Sequence, residues 1–235
     1  PYSKNKSIQE LRDEHLTSNK SVPLPKNTKW KRVNANGVPA EWIFCGNENS
    51  DSVFLFIHGG GYYRGSVEAS RSIAARISAV SRMRCLSIDY RLAPENVFPA
   101  AIDDTYTAYK WLIKQNINPK RIVVGGMSAG GGLTLGLLLK LKDLKESQPA
   151  GGVPISPWTD MTQSGKTMHT NAYIDPIISK EYLDRMSKLY LGGVSPKSKL
   201  ASPLFGNLKG LPPLLIQVGS AETMLDDSRR FVEKA

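Results

Sequence analysis

Residues 122–133 read IVVGGMSAGGGL. A β-branched run ends in glycine, a serine follows with a glycine two positions to either side, and a leucine-rich stretch begins. Gly126-Met127-Ser128-Ala129-Gly130 fits the pattern G-x-S-x-G between a predicted strand and a predicted helix, the context of a nucleophile elbow. The physical reason is steric. A serine that must project its hydroxyl above a sheet edge sits on a cramped turn, and only hydrogen at the flanking Cα positions lets strand and helix come that close. The N–H of Ala129 would then lie at a helix N-terminus, where partial positive charge can meet a developing oxyanion. Taken alone the motif leaves two plainer readings open: a turn that only joins strand to helix, or a phosphate cradle. The phosphate patterns fail in detail, because no Lys follows the glycines and G-x-G-x-x-G does not fit around Ser128.

Working outward, a second glycine run separates these readings. His58-Gly59-Gly60-Gly61-Tyr62 directly follows the apolar run at 53–57 and lies upstream of the elbow, where an oxyanion-hole loop belongs. Consecutive glycines leave backbone N–H groups open to a substrate, and each such donor contributes roughly 2.7–4 kcal/mol of transition-state stabilisation. Around the two motifs, strand and helix patterns alternate. "SVFLFI", "RCLSIDYR", "RIVVGG" and "GGVPIS" read as strands, with "SRSIAARISAVSRM", "PAAIDDTYTAYKWLIKQ" and the Leu-rich 133–144 as helices between them. Strands apolar on both faces predict a mostly parallel central sheet flanked by helices, an α/β fold. Before it, "SIQELRDEHLTSN" is a helix with Ser7 and Glu10 in capping-box spacing. "WKRVNANGVPAEWIFC" is a hairpin about Asn36-Gly37, with Trp30, Val33, Val38, Trp42 and Phe44 as packing residues. Residues 157–211 show no strand and one strong helix, capped by Ser179 and stopped by Gly192, which suggests a lid. "PPLLIQVGS" then predicts a further buried strand. The resulting division is an N-terminal cap segment at 1–29, a core at 30–156, a mid-chain cap at 157–211 and an incomplete return to the core at 212–235.

Composition bounds the function. The 235 residues carry a formal charge of +10, with 40% hydrophobic residues, so a packed core is expected. The basic residues are scattered, without an aromatic-interleaved stripe, so no nucleic-acid partner is expected. Cys45 and Cys85 are too few for a disulfide framework and no CxxC is present. The longest apolar run, near 133–141, is short and broken by glycine, and nothing resembles a signal peptide, so no membrane span and a cytoplasmic location are expected. The first residue is Pro1 rather than Met, which suggests that the natural start lies upstream.

Five separated blocks occur in order: HGGGY (58–62), DYRLAPE (89–95), FPAAIDD (98–104), GMSAGGG (126–132) and ASPLFGNLKGLPPLLIQVGSAE (201–222). Together they resemble the hormone-sensitive-lipase-like family of α/β-hydrolase carboxylesterases, over about residues 30–227. The resemblance implies an α/β-hydrolase fold with a helical cap and a Ser–acid–His triad. It also implies hydrolysis of carboxylic esters, often of short to medium acyl chain, without metal or organic cofactor. By the same resemblance Gly60, Gly61 and Ala129 supply the oxyanion donors. Met127 stands where the family usually has Asp. Alignment on AETMLDD puts Glu222 at the acid position. Asp226 is the rival, ranked lower because it falls inside the following helix. Asp227, Asp103 and Asp104 read as helix-start charges, and Tyr90 through Glu95 as a buttress for the glycine loop. Tyr62, Tyr63, Tyr182 and Met186 either shape an acyl pocket or pack the core.

The base is the gap. His15 reads as a cap or surface residue, His58 as support for the glycine loop, and His169 as part of the cap. The order Ser, acid, His therefore places the imidazole beyond Ala235. Truncation of a serine esterase is the favoured explanation. The alternatives are a lactonase or amide hydrolase with the same triad, or a catalytically silent, receptor-like binding protein. The expected partner is a small-molecule ester.

Overall fold

In a computed structural model, which describes residues 6–46 and 48–235, the strand before the glycine run sits at the centre of the molecule. Residues 1–5 of the 1–29 segment thus lie outside the described residues. The N-terminal helix α1 (Ile8–Lys20) carries the expected reciprocal cap between Ser7 and Glu10 and buries Leu11. The strands β1 (Thr28–Ala35) and β2 (Val38–Cys45) pair antiparallel. Their two-residue turn holds Asn36 at φ 58° and Gly37 at φ 98°, the positive values such a hairpin demands. Trp30 is an exception to the packing expected of this hairpin: it is 47% exposed and lies under the guanidinium of Arg71.

All five residues of β3 (Val53–Ile57) are buried. Successive side chains of a strand point to opposite faces, so such a strand needs cover on both. Phe54 and Phe56 pack with Ala74 and Ala75 of α2 (Val67–Ser81). On the opposite face, Val53, Leu55 and Ile57 join Ile102 and Leu112 of α3 (Ala100–Lys114) and Leu133 and Leu137 of α4 (Ala129–Asp143). β3 pairs in parallel with β4 (Arg84–Ile88) on one side and β5 (Ile122–Met127) on the other. β6 (Gly151–Ile155) lies parallel beyond β5, and the whole sheet has the order β1-β2-β4-β3-β5-β6. The chain thus goes from β3 to one neighbour, then crosses back to the other. The loops leaving β3 and β5 part company at their carboxyl ends, which is where open α/β sheets form a ligand crevice.

Residues 157–211 contain the short α5 (Thr167–Thr170), α6 (Lys180–Leu191) and a single 3-10 turn at Pro203–Phe205. Ser179 accepts from the Tyr182 N–H, and Gly192 at φ 56° ends α6, as its sequence predicts. The run "PPLLIQVGS" departs from expectation. It lies parallel to β6 through only two bridges, Gly152 to Leu214 and Ile155 to Gln217, and none of its residues is buried. Two prolines at its start remove ladder donors, and among the described residues no strand pairs with its outer edge. The chain then enters α7 (Leu225–Lys234).

Candidate active site

The strand β5 delivers its last residue, Met127, to a turn in which Ser128 adopts φ 54°, ψ −115°, a strained conformation for a residue with a Cβ. Sterics around it leave little choice. A Cβ on Gly126 would lie 2.4 Å from the Ile57 carbonyl oxygen, and one on Gly130 would lie 2.1 Å from the same atom and 2.5 Å from that of His58. The backbone of Ser128 is pinned by its N–H donating to the Ile155 carbonyl, at 2.9 Å, while its own carbonyl accepts from Gly132 and Trp158. The hydroxyl makes no hydrogen bond among the described residues, and Ala129 opens α4 directly behind it.

The glycine loop stands against this turn. A Cβ on Gly59 would fall 2.9 Å from the Met127 carbonyl oxygen and 3.6 Å from Ser128 Cβ, so loop and elbow are in contact. Gly60 takes φ 121°, and a Cβ there would meet the Arg64 carbonyl oxygen at 2.2 Å. The Gly60 carbonyl accepts from Tyr63 and Arg64, whereas the N–H groups of Gly60 and Gly61 donate to no acceptor among the described residues. Gly60 and Gly61 line one cavity with Ser128. Behind the loop, His58 is buried, its Nδ1 2.8 Å from the Gly59 carbonyl oxygen. Burial holds its pKa down to about 4 against that hydrogen bond, so the ring is neutral. The buttress expected from residues 90–95 is in place. Tyr90 stacks on His58 and donates to its carbonyl, Ala93 N–H donates to the Tyr62 carbonyl, and Glu95 pairs with Arg12 of α1.

Glu222 reaches the same cavity from the far side. Its Oε1 accepts the Ser156 hydroxyl and the Gly219 N–H, each at 2.7 Å. Asp226 does not line the cavity; its Oδ2 accepts from the Thr167 N–H at 3.1 Å. Three residues that sequence reasoning passed over hold this side together. Ser156, at φ 44° just past β6, presents its hydroxyl to Glu222. Asn171 Nδ2 donates to the carbonyls of Ser220 and Glu222, and Asp175 accepts from the Thr223 N–H and hydroxyl. A signal for Ser156 existed, since it follows the carboxyl end of a parallel strand. Asn171 and Asp175 have none, because they come from the long excursion.

Several sequence readings need correction. His15, read as a cap or surface residue, is half-buried on α1 and lines the cavity. Asp104 is not a simple helix-start charge but binds Arg91 through the guanidinium and the backbone N–H, whereas Asp103 stands in the first turn of α3 as expected and also pairs with Lys140. Asp227 is fully buried, where its Oδ2 accepts from the N–H groups of Thr159 and Asp160. Burial pushes its pKa up to about 7, with the Asp160 charge adding to the effect against the Thr159 hydrogen bond. Tyr62, Tyr63 and Met186 are core residues, while Tyr182 both packs and lines the cavity. The exposed His169 lies outside it.

The cavity measures about 670 Å³ and is mostly apolar, with Ile177, Ile178, Leu183 and Met224 among its walls. Among the described residues no imidazole hydrogen-bonds to Ser128 or Glu222. A strained serine, open glycine N–H groups and a fixed carboxylate around an apolar hollow suit acyl transfer. The alpha/beta hydrolase fold family matches residues 54–235 of the chain. The chain belongs to that family. Among solved α/β-hydrolases, the crystal structure of an esterase from the bacterial hormone-sensitive lipase family is similar at a TM-score of 0.96 and 45% identity, over 99% of this chain and 78% of that one. That likeness puts the chain on the hormone-sensitive-lipase-like branch of the α/β-hydrolases. An esterase of Acinetobacter venetianus is 39% identical across 91% of this chain and 70% of its own length. An acetyl-hydrolase of Streptomyces hygroscopicus is 38% identical across 83% of this chain and 65% of its own. The chain thus spans about two thirds of the length of these two relatives. No helix among its described residues is long and apolar enough to cross a membrane.

Proposed function

We propose that the chain forms the serine-bearing part of a carboxylesterase that cleaves esters of short to medium acyl chain through a covalent acyl-enzyme. Ser128 attacks the ester carbonyl, and the N–H groups of Gly60, Gly61 and Ala129 receive the oxyanion. The alcohol leaves, and water then releases the acid. Glu222 accepts the N–H of an imidazole, fixes its tautomer and stabilises its charged form. That imidazole comes from outside these 235 residues. His58 is locked to its own loop, His169 lies away from the cavity, and His15 makes no bond to Glu222. α1 and residues 157–211 act as the cap over Ser128.

The observation that carries this reading is the contact between elbow and glycine loop, with the serine hydroxyl and two loop N–H groups unengaged among the described residues beside one apolar cavity. The test is hydrolysis of p-nitrophenyl butyrate by the full-length protein. A nitrophenol burst is expected, and loss of the triad serine is expected to lower kcat by about 10⁶. Turnover that survives Ser128→Ala would exclude the mechanism. Saturable ester binding without turnover would identify a binding protein on the same scaffold.

A further inference from the structure

One end of the cavity has a chemistry that ester cleavage does not require. Arg64 lines it, and among the described residues no carboxylate pairs with this guanidinium. Its Nε is buried without an acceptor. The contrast with other arginines nearby is plain: Arg12 pairs with Glu95, Arg71 with Glu41 and Arg91 with Asp104. His15 lines the same cavity, and its Nδ1 is likewise buried without a partner. Burial, reinforced by the charge of Arg64, lowers the pKa of His15, so the ring favours the neutral form and brings no second charge.

These groups converge because α1 lies along the segment that follows the glycine loop. Arg12 Nε donates to the Tyr63 carbonyl, and Lys20 pairs with Glu68. His15 and Asn19, four residues apart on one helical face, fall between those two ties, opposite residues 64–66. Ser66 and Ser70 add hydroxyls to the same wall. The carboxylates that line the cavity are engaged elsewhere, Glu222 with Ser156 and Gly219, and Asp175 with Ile177, Ile178 and Thr223.

We propose that this end is a carboxylate-binding subsite, and that the substrates are esters bearing a carboxylate on the limb that runs from Ser128 toward α1, short dicarboxylic half-esters in the simplest case. The proposal rests on the esterase reading of Ser128. The glycine loop sets the scale. A Cβ on Gly59 would touch Ser128 Cβ, and one on the next residue, Gly60, would lie 3.1 Å from Arg64 Cγ, so the nucleophile and the arginine stem flank neighbouring residues. The Tyr63 ring lies 5.3 Å from the guanidinium carbon and stacks against the cation. A guanidinium presents paired donors that match a carboxylate, the neutral imidazole of His15 adds a ring nitrogen without a partner among the described residues, and the Asn19 amide donates to the His15 carbonyl. A formal charge of +10 favours the approach of an anionic substrate.

The experiment compares p-nitrophenyl butyrate with p-nitrophenyl hemiglutarate on the full-length protein, as wild type, Arg64→Met and Arg64→Lys. The quantity read is the ratio of kcat/KM for the charged over the neutral ester, which cancels any damage common to both. Arg64→Met is expected to lower that ratio roughly ten- to hundredfold, the range for a hydrogen bond to a charged group. The change should reside in KM, and Arg64→Lys should recover part of it. An unchanged ratio in Arg64→Met overturns the subsite. If neither ester is turned over, the esterase reading fails separately, and calorimetry with monomethyl glutarate on Ser128→Ala decides the subsite. Binding that disappears when Arg64→Met is added supports it, and absence of binding overturns it.

Discussion

The two halves of the site are held by different forces. On the Ser128 side, β3, β5 and α4 meet so closely that backbone atoms fill the space where side chains would be, at 2.1–2.7 Å from the Cβ positions of Gly126 and Gly130. On the Glu222 side, the segment from Pro213 to Gln217 lies along β6 and Ser156 through four backbone hydrogen bonds, and among the described residues no strand pairs with its outer edge. Beyond Gln217, the residues around Glu222 are held by side-chain hydrogen bonds that Ser156 and Asn171 donate and Asp175 accepts. One half is fixed by excluded volume, which is nearly all-or-none, and the other by polar contacts, which can be weakened singly.

The strongest way to test that contrast is Gly130→Ala. The new methyl group cannot coexist with the Ile57 and His58 carbonyls, so a loss of about 3 kcal/mol or more is expected, at or beyond the usual range for overpacking. Urea unfolding of the full-length protein measures it, and a loss no greater than for an exposed residue would contradict steric control. Asn171→Ala removes two donors from the chain that carries Glu222. A cost of about 2 kcal/mol is expected from two hydrogen bonds, with hydrolysis reduced more than folding is. Ser156→Ala should be milder. It leaves the Gly219 bond to Glu222 intact and removes about 1 kcal/mol, so a several-fold drop in kcat with KM little changed is expected. Equal change in both constants would argue against a positioning role for Ser156.

A separate effect is a pH slope. The carboxyl of Asp227 has an ordinary pKa of 3.8 and is pushed up to about 7 in the fold. Between those values the native state holds a proton that the unfolded chain gives up, so this group's contribution falls as pH rises through the window. His58 acts in the opposite direction. Its pKa drops from 6.5 to about 4, so its contribution is lost as pH falls through that range. Asp227→Asn removes only the first of these. Its Tm relative to wild type should rise between pH 4 and pH 7 and level off above, by thermal melts at several pH values. A pH-independent difference would mean that Asp227 is charged in the fold.

The same division explains what could be read in advance. The alternation of strands and helices, the capping box of Ser7 and Glu10, the Asn36-Gly37 turn and the ends of α6 are local patterns, and each appears where the residues predict it. The glycine loop and elbow were legible too, because close backbone approach leaves glycine as its signature. The acid half was legible only in part. Family resemblance points to Glu222 and the end of a parallel strand to Ser156, whereas Asn171 and Asp175 carry no pattern that marks them as supports. Asp104 and Asp227 were misread for the same reason: helix-start carboxylates look alike in sequence whether they face water or a buried partner. The run at 212–220 reads as a buried strand because apolar content reports the wish for cover, not its presence.

The chain's own residues thus determine the elements, their order and the cramped serine turn, since propensity, capping and steric exclusion act over a few positions. Tertiary structure alone decided that Glu222 rather than Asp226 shares a cavity with Ser128, that His15 turns inward, and that no carboxylate among the described residues pairs with Arg64. Those outcomes depend on which distant segments come together, and pairing between groups far apart in sequence leaves no periodic trace in either one.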